Sequence, residues 1–431
     1  MQDSVLRVLI GLGLLLAAIG ALGEPVSIHQ AYLSTISQNP ELRGEQTYVQ
    51  AEEAKVDEAW AGVKPQVDFT AGFGKTWYER DLGFQGIEDG QDNPTRLDVG
   101  VSQILYSRQA FKSIDRAERS VDKTEAQLES TRSQIGIEAM LTFLDVRRVE
   151  RLKDVVEEEV ESHKEQARQL RQMLDRGFAT RAEYLEARSR VDEARADVVR
   201  LGNEQRVAMQ TLRRLTGLPI TQVVPVNEAL WKKTRGFLRQ DWEQKALAHA
   251  PSIRVIKAES RLAKASREVE AAGHYPELSL RARYTDNDSF ATSLLEERRI
   301  ELQLSIPIYK GGATSARTRA ARYREEGAEW LLINERQRIQ VEVERLTSEL
   351  GGSYSSIKAL EQALASARES ENAASEGFEA GVRNLTGLLD VRKRRSDIEQ
   401  ELVSLVYENL TLRLELLALA GELNEDQLAR W

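Results

Sequence analysis

Two stretches of the chain set acidic and basic side chains beside a glycine: "RGFATRAEYLEARSR" at 176–190 and "AGVRNLTGLLDVRKR" at 380–394. Carboxylates and guanidinium groups gathered at a helix break can serve acid–base catalysis, a metal site or a charged mechanical contact. Gly177 answers to Gly381, 204 residues further on. In that register Arg181 faces Leu385, Glu183 faces Gly387 and Glu186 faces Asp390.

The rest of the chain gives catalysis little support. It has no cysteine, which excludes disulfides, thiol chemistry, cysteine metal sites and a lipid on an N-terminal cysteine. Its four histidines, at 29, 163, 249 and 274, form no HExxH or HxH pattern. "GKTW" at 74–77 lacks the glycine spacing of a phosphate loop. "GGA" at 311–313 follows a strand and opens a long helix, but without a βαβ context it reads as a flexible junction. The basic run "RKRR" at 392–395 lies amid glutamates and reads as a solvated or interhelix face. The net charge of −9 argues against nucleic acid, whose phosphates require a basic surface. No cofactor and no enzymatic activity is predicted.

The two stretches must therefore be placed by the elements around them. Charged residues are 30% of the 431, aromatics only 6%, a composition suited to long amphipathic helices. The N-terminus combines Arg7, the apolar run Val8–Ala18 and small residues at 21–23, predicting a signal peptide over 1–23 and a mature start near Glu24. An uncleaved anchor is the alternative. No proline falls between 95 and 218 or after 307, leaving 107–176 and 313–376 free to be very long helices. About 65 helical residues span on the order of 100 Å, and such rods must pack along other rods.

The chain is also duplicated. "NPEL" at 39–42 matches "APSI" at 250–253, and "VKPQVDF" at 63–69 matches "HYPELSL" at 274–280, both at an offset of 211. "SQILY" at 102–106 matches "SIPIY" at 305–309 at 203, and "LRRLTG" at 212–217 matches "LLALAG" at 416–421 at 204. One loop is therefore shorter in the second copy. The expected halves are 24–217 and 218–431.

Each half contains two stretches of period two. Val67, Phe69, Ala71 and Phe73 alternate with Asp68, Thr70, Gly72 and Gly74, and Leu97, Val99 and Val101 with Asp98, Gly100 and Ser102. Leu278, Leu280, Ala282 and Tyr284 alternate with Ser279, Arg281 and Arg283, and Ile300, Leu302, Leu304 and Ile306 with Glu301, Gln303 and Ser305. About ten alternating residues with one apolar face is the pattern of a membrane barrel strand, or of a soluble sheet with one buried face. The polar loops at 79–95 and 286–297 suit exposed tips, and Trp77, Tyr78, Tyr106, Tyr284 and Tyr309 suit an interfacial girdle. Four strands cannot close a barrel, since the smallest have about eight, so closure requires several chains.

After Gly177, positions 184, 187, 191, 194, 198, 201, 205, 208, 212 and 215 are apolar or aromatic except Gln205. Adding 204 gives a second seam, apolar except Arg395 and Asn409. These are coiled-coil seams, and the amide repeated at Gln205 and Asn409 either fixes register or is a tolerated polar position.

"YKGGATSARTRAARY" at 309–323, "GVRNLTGLLDV" at 381–391 and "LAGELNEDQL" at 419–428 resemble the TolC family of outer-membrane channel proteins, over essentially all of 24–431. The resemblance implies a membrane α+β fold. In it a homotrimer shares a twelve-stranded barrel in outer-membrane lipid and extends a helical coiled-coil tunnel into the periplasm. It implies no catalysis, and two partners: a periplasmic adaptor and an inner-membrane ABC exporter or proton-driven pump. Gly177, Phe178, Gly381 and Val382 then stand at adaptor-docking turns. Asp390 matches one of two family aspartates at the tunnel entrance, while Gly387 stands where the other is expected. Arg383 and Glu183 match an entrance-closing pair, with Phe378 replacing the family's tyrosine, so a latch between Arg383 and Glu183 is expected. The leading reading is an exit duct for type I protein secretion. A multidrug efflux channel and a soluble periplasmic coiled-coil scaffold are the alternatives.

Overall fold

Pro40 and Pro251 each open a 22-residue helix, at corresponding places in the two halves. Proline suits the first turn because its missing N–H has no partner there. The computed structural model describes residues 25–81, 84, 87–288, 296–428 and 431. The expected leader at 1–23, the start at Glu24 and parts of both strand-joining loops lie outside the described residues.

The first half runs α1 (Ile28–Gln38), α2 (Pro40–Ala61), β1 (Gln66–Phe73), β2 (Thr76–Asp81), β3 (Ile87–Asp92), β4 (Thr95–Ser107), α3 (Arg108–Asp175) and α4 (Arg181–Thr216). The second half opens with a 3-10 helix (Glu228–Lys233) and α5 (Thr234–Phe237). There α6 (Trp242–His249), α7 (Pro251–Ala272), β5 (Glu277–Asp288), β6 (Glu296–Ser305), α8 (Ala313–Glu379) and α9 (Leu385–Leu419) follow, with α10 (Glu425–Leu428) at the end. Helix α3 has 68 residues and α8 has 67, as the proline-free intervals require.

These elements fall into two compact units, each drawing on both halves. One comprises the described residues up to Gly44, Glu129–Ile253 and Arg336–Trp431; the other comprises Glu45–Leu128 and Arg254–Glu335. The first unit is helical. Its core joins Met140 and Phe143 of α3, Leu212 and Leu215 of α4, and Tyr407, Leu410 and Leu414 of α9, with Ile28 of α1 beneath them. Burying each such side chain contributes about 1.5–3 kcal/mol. The seam of α4 is inside, with Ala187, Val191, Leu201, Leu212 and Leu215 all buried. The repeated amides differ. Asn409 is fully enclosed, donating to Ser353 Oγ at 2.7 Å and accepting from Thr234 Oγ1 at 3.1 Å. Gln205 is half-buried and donates to Glu150 at 3.1 Å.

The second unit holds a four-stranded antiparallel sheet in the order β1–β4–β5–β6. Phe69 pairs with Val99 and Val99 with Tyr284; Val101 pairs with Ala282 and Ala282 with Ile300. The period of two puts these residues on one face. That face is open: Val67, Phe69 and Ile300 are 72%, 68% and 82% exposed. The opposite face carries Asp68, Arg96, Arg281, Arg283, Glu297, Arg299 and Glu301 around a cavity of about 450 Å³. An apolar face left uncovered, backed by a charged one, is the arrangement of a barrel wall between lipid and water.

Two expectations change. The first loop is not a plain tip, because β2 and β3 form a separate hairpin. Its polar sequence hid it. Tyr78 lies across Gly90, where a Cβ would come 2.4 Å from the Tyr78 ring, so a glycine is needed opposite the ring. Tyr284 does not stand at a strand end but within β5, paired with Val99. Among the described residues no helix is long and apolar enough to cross a membrane.

Candidate functional site

Both glycine breaks are built alike. After α3, Gly177 takes φ +76°, and Phe178 N–H donates to Met173 O at 2.8 Å. After α8, Gly381 takes φ +73°, and Val382 and Arg383 N–H groups donate to Gly377 O at 2.9 and 3.0 Å. A left-handed glycine closing the last helical carbonyls is a C-terminal cap that a side chain would strain. One exposed apolar residue tips each turn, Phe178 at 77% and Val382 at 84%. Beneath the tips Leu170, Ala187, Leu385 and Leu389 are buried together, with Phe378 packed against them. The Phe378 ring is therefore part of this apolar cluster.

The next helices begin at corresponding residues but with different caps. Thr180 caps α4: Glu183 N–H donates to Thr180 Oγ1 at 3.2 Å, and Thr180 N–H donates back to Glu183 Oε2 at 2.7 Å. Thr180 Oγ1–H also reaches that oxygen at 2.7 Å. The backbone and hydroxyl bonds from Thr180 hold the Glu183 carboxyl below the usual range. Asn384 caps α9, accepting from Gly387 N–H at 2.9 Å. Gly387 thus sits where Glu183 sits in the first copy, three residues past the cap, and cannot return the bond. A Cβ there would stand 3.0 Å from Asn384 Oδ1 and 3.1 Å from Arg383 Nε, so the arginine lies folded back over the glycine.

The structure brings Gly387, Arg383 and Asn384 together, but within one chain it does not join Arg383 to Glu183. The Glu183 carboxylate is engaged on its own helix end. Asp390 is exposed, and among the described residues neither it nor Arg383 forms an ion pair.

Behind the turns lies a polar cluster that the sequence reading left unassigned. Glu371 of α8 stands between two arginines of α9, with Arg392 Nε at 3.3 Å and Arg395 Nε at 2.7 Å. Arg395 also meets Glu399 at 2.7 Å, which in turn meets Arg368 at 3.0 Å. Arg392 Nη1 donates to Gln166 of α3 at 2.8 Å. Ser396 of α9 donates to Glu159 of α3 at 2.5 Å, and His163 Nε2 lies 3.3 Å from the same carboxylate. Burial alone would push the Glu159 carboxyl up; the His163 and Ser396 bonds outweigh it and hold it below its ordinary value. Burial pulls the Arg392 guanidinium down, against the attraction of Glu371. "RKRR" is thus half interhelix and half solvent: Arg392 and Arg395 turn inward, Lys393 and Arg394 outward. The signal was Arg395, a charge on a seam otherwise apolar but for Asn409. Between this cluster and the tips is a cavity of about 390 Å³, lined by Gln166, Met173, Phe178, Phe378, Leu388 and Arg392.

An uncovered apolar sheet face backed by charge, with long paired helices, is the arrangement of a channel-forming membrane protein. The chain belongs to the outer membrane efflux protein family, whose sequence pattern matches residues 31–218 and 242–422. It is 23% identical to outer membrane protein TolC of Escherichia coli K12 over 445 aligned positions, covering 99% of this chain and 88% of TolC. It is 28% identical to alkaline protease secretion protein AprF of Pseudomonas aeruginosa over 274 positions, covering 62% of this chain and 57% of AprF. Its fold superposes on the outer membrane protein VceC of Vibrio cholerae with a TM-score of 0.77 at 14% identity, covering 91% of this chain and 96% of VceC. This is an outer-membrane exit channel with the TolC-like fold, its tunnel extending into the periplasm.

Proposed function

We propose that three copies of this chain form one duct, and that the duct serves type I protein secretion with a periplasmic adaptor and an inner-membrane ABC exporter. The observation that carries the assembly is the sheet. Its edge strands β1 and β6 are both open, and its apolar face is bare. Open edges are not tolerated in lipid, and three such sheets supply the twelve strands of a closed barrel.

Secretion is favoured by the names of two relatives. AprF is an alkaline protease secretion protein, and PrtF of Dickeya chrysanthemi, 24% identical over 283 positions, is a proteases secretion protein. The second reading, drug efflux through a proton-driven pump, is supported by BepC of Brucella suis, an outer membrane efflux protein 22% identical over 389 positions. Exposed Phe178 and Val382 are suited to meet the adaptor at the turns. Arg383 and Glu183 form the closing latch between chains; both cap bonds fall on Oε2 of Glu183, leaving Oε1 for the guanidinium. Asp390 then contributes one ring of three carboxylates, where Gly387 removes a second.

Crosslinking in cells followed by purification of the channel tests the choice. An ABC exporter among the captured proteins is expected. Capture of a proton-driven pump alone overturns the secretion reading.

A further inference from the structure

The helical unit carries a group of cations that no ion pair neutralises among the described residues. The stretch 232–239, "KKTRGFLR", contains Lys232, Lys233, Arg235 and Arg239 and no acid, in a chain of net charge −9. Three cations converge on two touching rings. Trp231 and Tyr354 have centroids 5.8 Å apart. Lys232 Nζ lies 5.6 Å from the Trp231 ring, while Arg235 Cζ and Lys358 Nζ lie 5.4 and 5.6 Å from that of Tyr354. The rings are held in place by buried Ile357 and Val406.

All three cations are exposed, and among the described residues none is in an ion pair. Glu361, one turn beyond Lys358, does not bridge it, and Glu228 is taken by the Tyr407 hydroxyl at 2.8 Å. Two other exposed arginines of this unit are neutralised within a turn, Arg345 between Glu342 and Glu349 and Arg200 between Asp197 and Glu204. An aromatic face orients a cation without neutralising it or using its N–H donors. Like charges so gathered repel until an anion joins them.

We propose that Lys232, Arg235 and Lys358 form a docking patch for the carboxylate-bearing glycan–peptide polymer of the cell wall. The inference rests on the helical unit standing in the periplasm. A polymer with spaced carboxylates matches spaced, pre-oriented cations. An anionic bilayer is the poorer fit, because Trp231 and Phe237 are buried beneath the cations and no apolar wedge projects with them. Lys233 and Arg239 extend the basic edge on the same short segment.

The test is co-sedimentation of the detergent-solubilised full-length protein with isolated cell-wall sacculi. Pelleting is expected, weakening as salt rises. It should fall about tenfold for the triple variant Lys232→Gln/Arg235→Gln/Lys358→Gln. The control Arg206→Gln/Arg394→Gln, exposed cations away from the rings, should pellet like the parent. Sacculi whose carboxyls have been amidated should lose the parent protein, an outcome independent of any variant's folding. No pelleting, equal pelleting of the triple variant, retention on amidated sacculi, or tighter binding to phosphatidylglycerol vesicles each overturns the proposal. Planar-bilayer conductance reports on the duct separately, so failure of the one is distinguishable from failure of the other.

Discussion

Glu183 and Gly387 occupy the same place in two copies of one turn, and a reciprocal capping bond separates them. Thr180→Ala removes the cap acceptor and releases the carboxylate, which should cost the first turn of α4 about 1 kcal/mol. Amide exchange at 181–184 should speed up while the corresponding turn of α9 is unchanged; equal protection in variant and parent would refute the role of the cap. The T-x-x-E spacing at 180–183 is that of a capping box, but the sequence reading takes Glu183 only as a latch residue. A single carboxylate can serve both, and sequence alone does not rank its partners. Arg383→Ser decides the latch. An exposed ion pair is worth about 1 kcal/mol at most, so its loss should raise the open population, and with it single-channel conductance, by up to about fivefold. If conductance stays at the parent value, the latch is not formed by Arg383.

Helices α3, α8 and α9 are clasped together by Glu159, Ser396, Gln166, Arg392 and Glu371, and this clasp should be acid-sensitive. The carboxyl of Glu159 is held below the ordinary 4.5 in the folded chain. The unfolded chain therefore binds more protons on falling through that range, so the contribution is full above about pH 4.5 and lost as pH drops through the folded value. Lys393 of α9 also acts on this carboxylate. Hydrogen exchange across 155–170 should rise below about pH 4.5 in the parent, and Glu159→Gln should show the faster exchange already at neutral pH. A variant with the parent's exchange and the parent's pH dependence would rule the clasp out. The rods themselves were legible because proline-free intervals and glycine breaks fix where helices can run and stop. The clasp was not, because pairing across α3, α8 and α9 depends on which faces meet. The β2–β3 hairpin escaped for another reason. Its like-charged pair Glu79 and Asp89 offers no apolar alternation, and what seats it is Tyr78 over Gly90, a contact without a sequence period.

At the scale of the whole molecule, the four strands of the main sheet were legible and the neighbour was implied by them. Alternation gives four strands, and four strands leave two edges. The edge strands β1 and β6 each keep one row of backbone N–H and C=O groups without a strand partner. In lipid such groups are costly to leave unmade, and pairing β6 with β1 of another copy removes that cost. The antiparallel order β1–β4–β5–β6 sets β1 and β6 in opposite directions, so an antiparallel join between copies continues the sheet. The absence of cysteine makes the join testable without background. Thr70 of β1 and Gln303 of β6 both lie on the charged face, so Thr70→Cys/Gln303→Cys puts one thiol at each edge. A flexible bis-maleimide should then link the double variant into a ladder ending at three chains, while either single variant stays mostly monomeric on a denaturing gel. A product confined to one chain would mean that the sheet curls on itself, and a ladder extending past three would mean that the duct closes with a different number of copies.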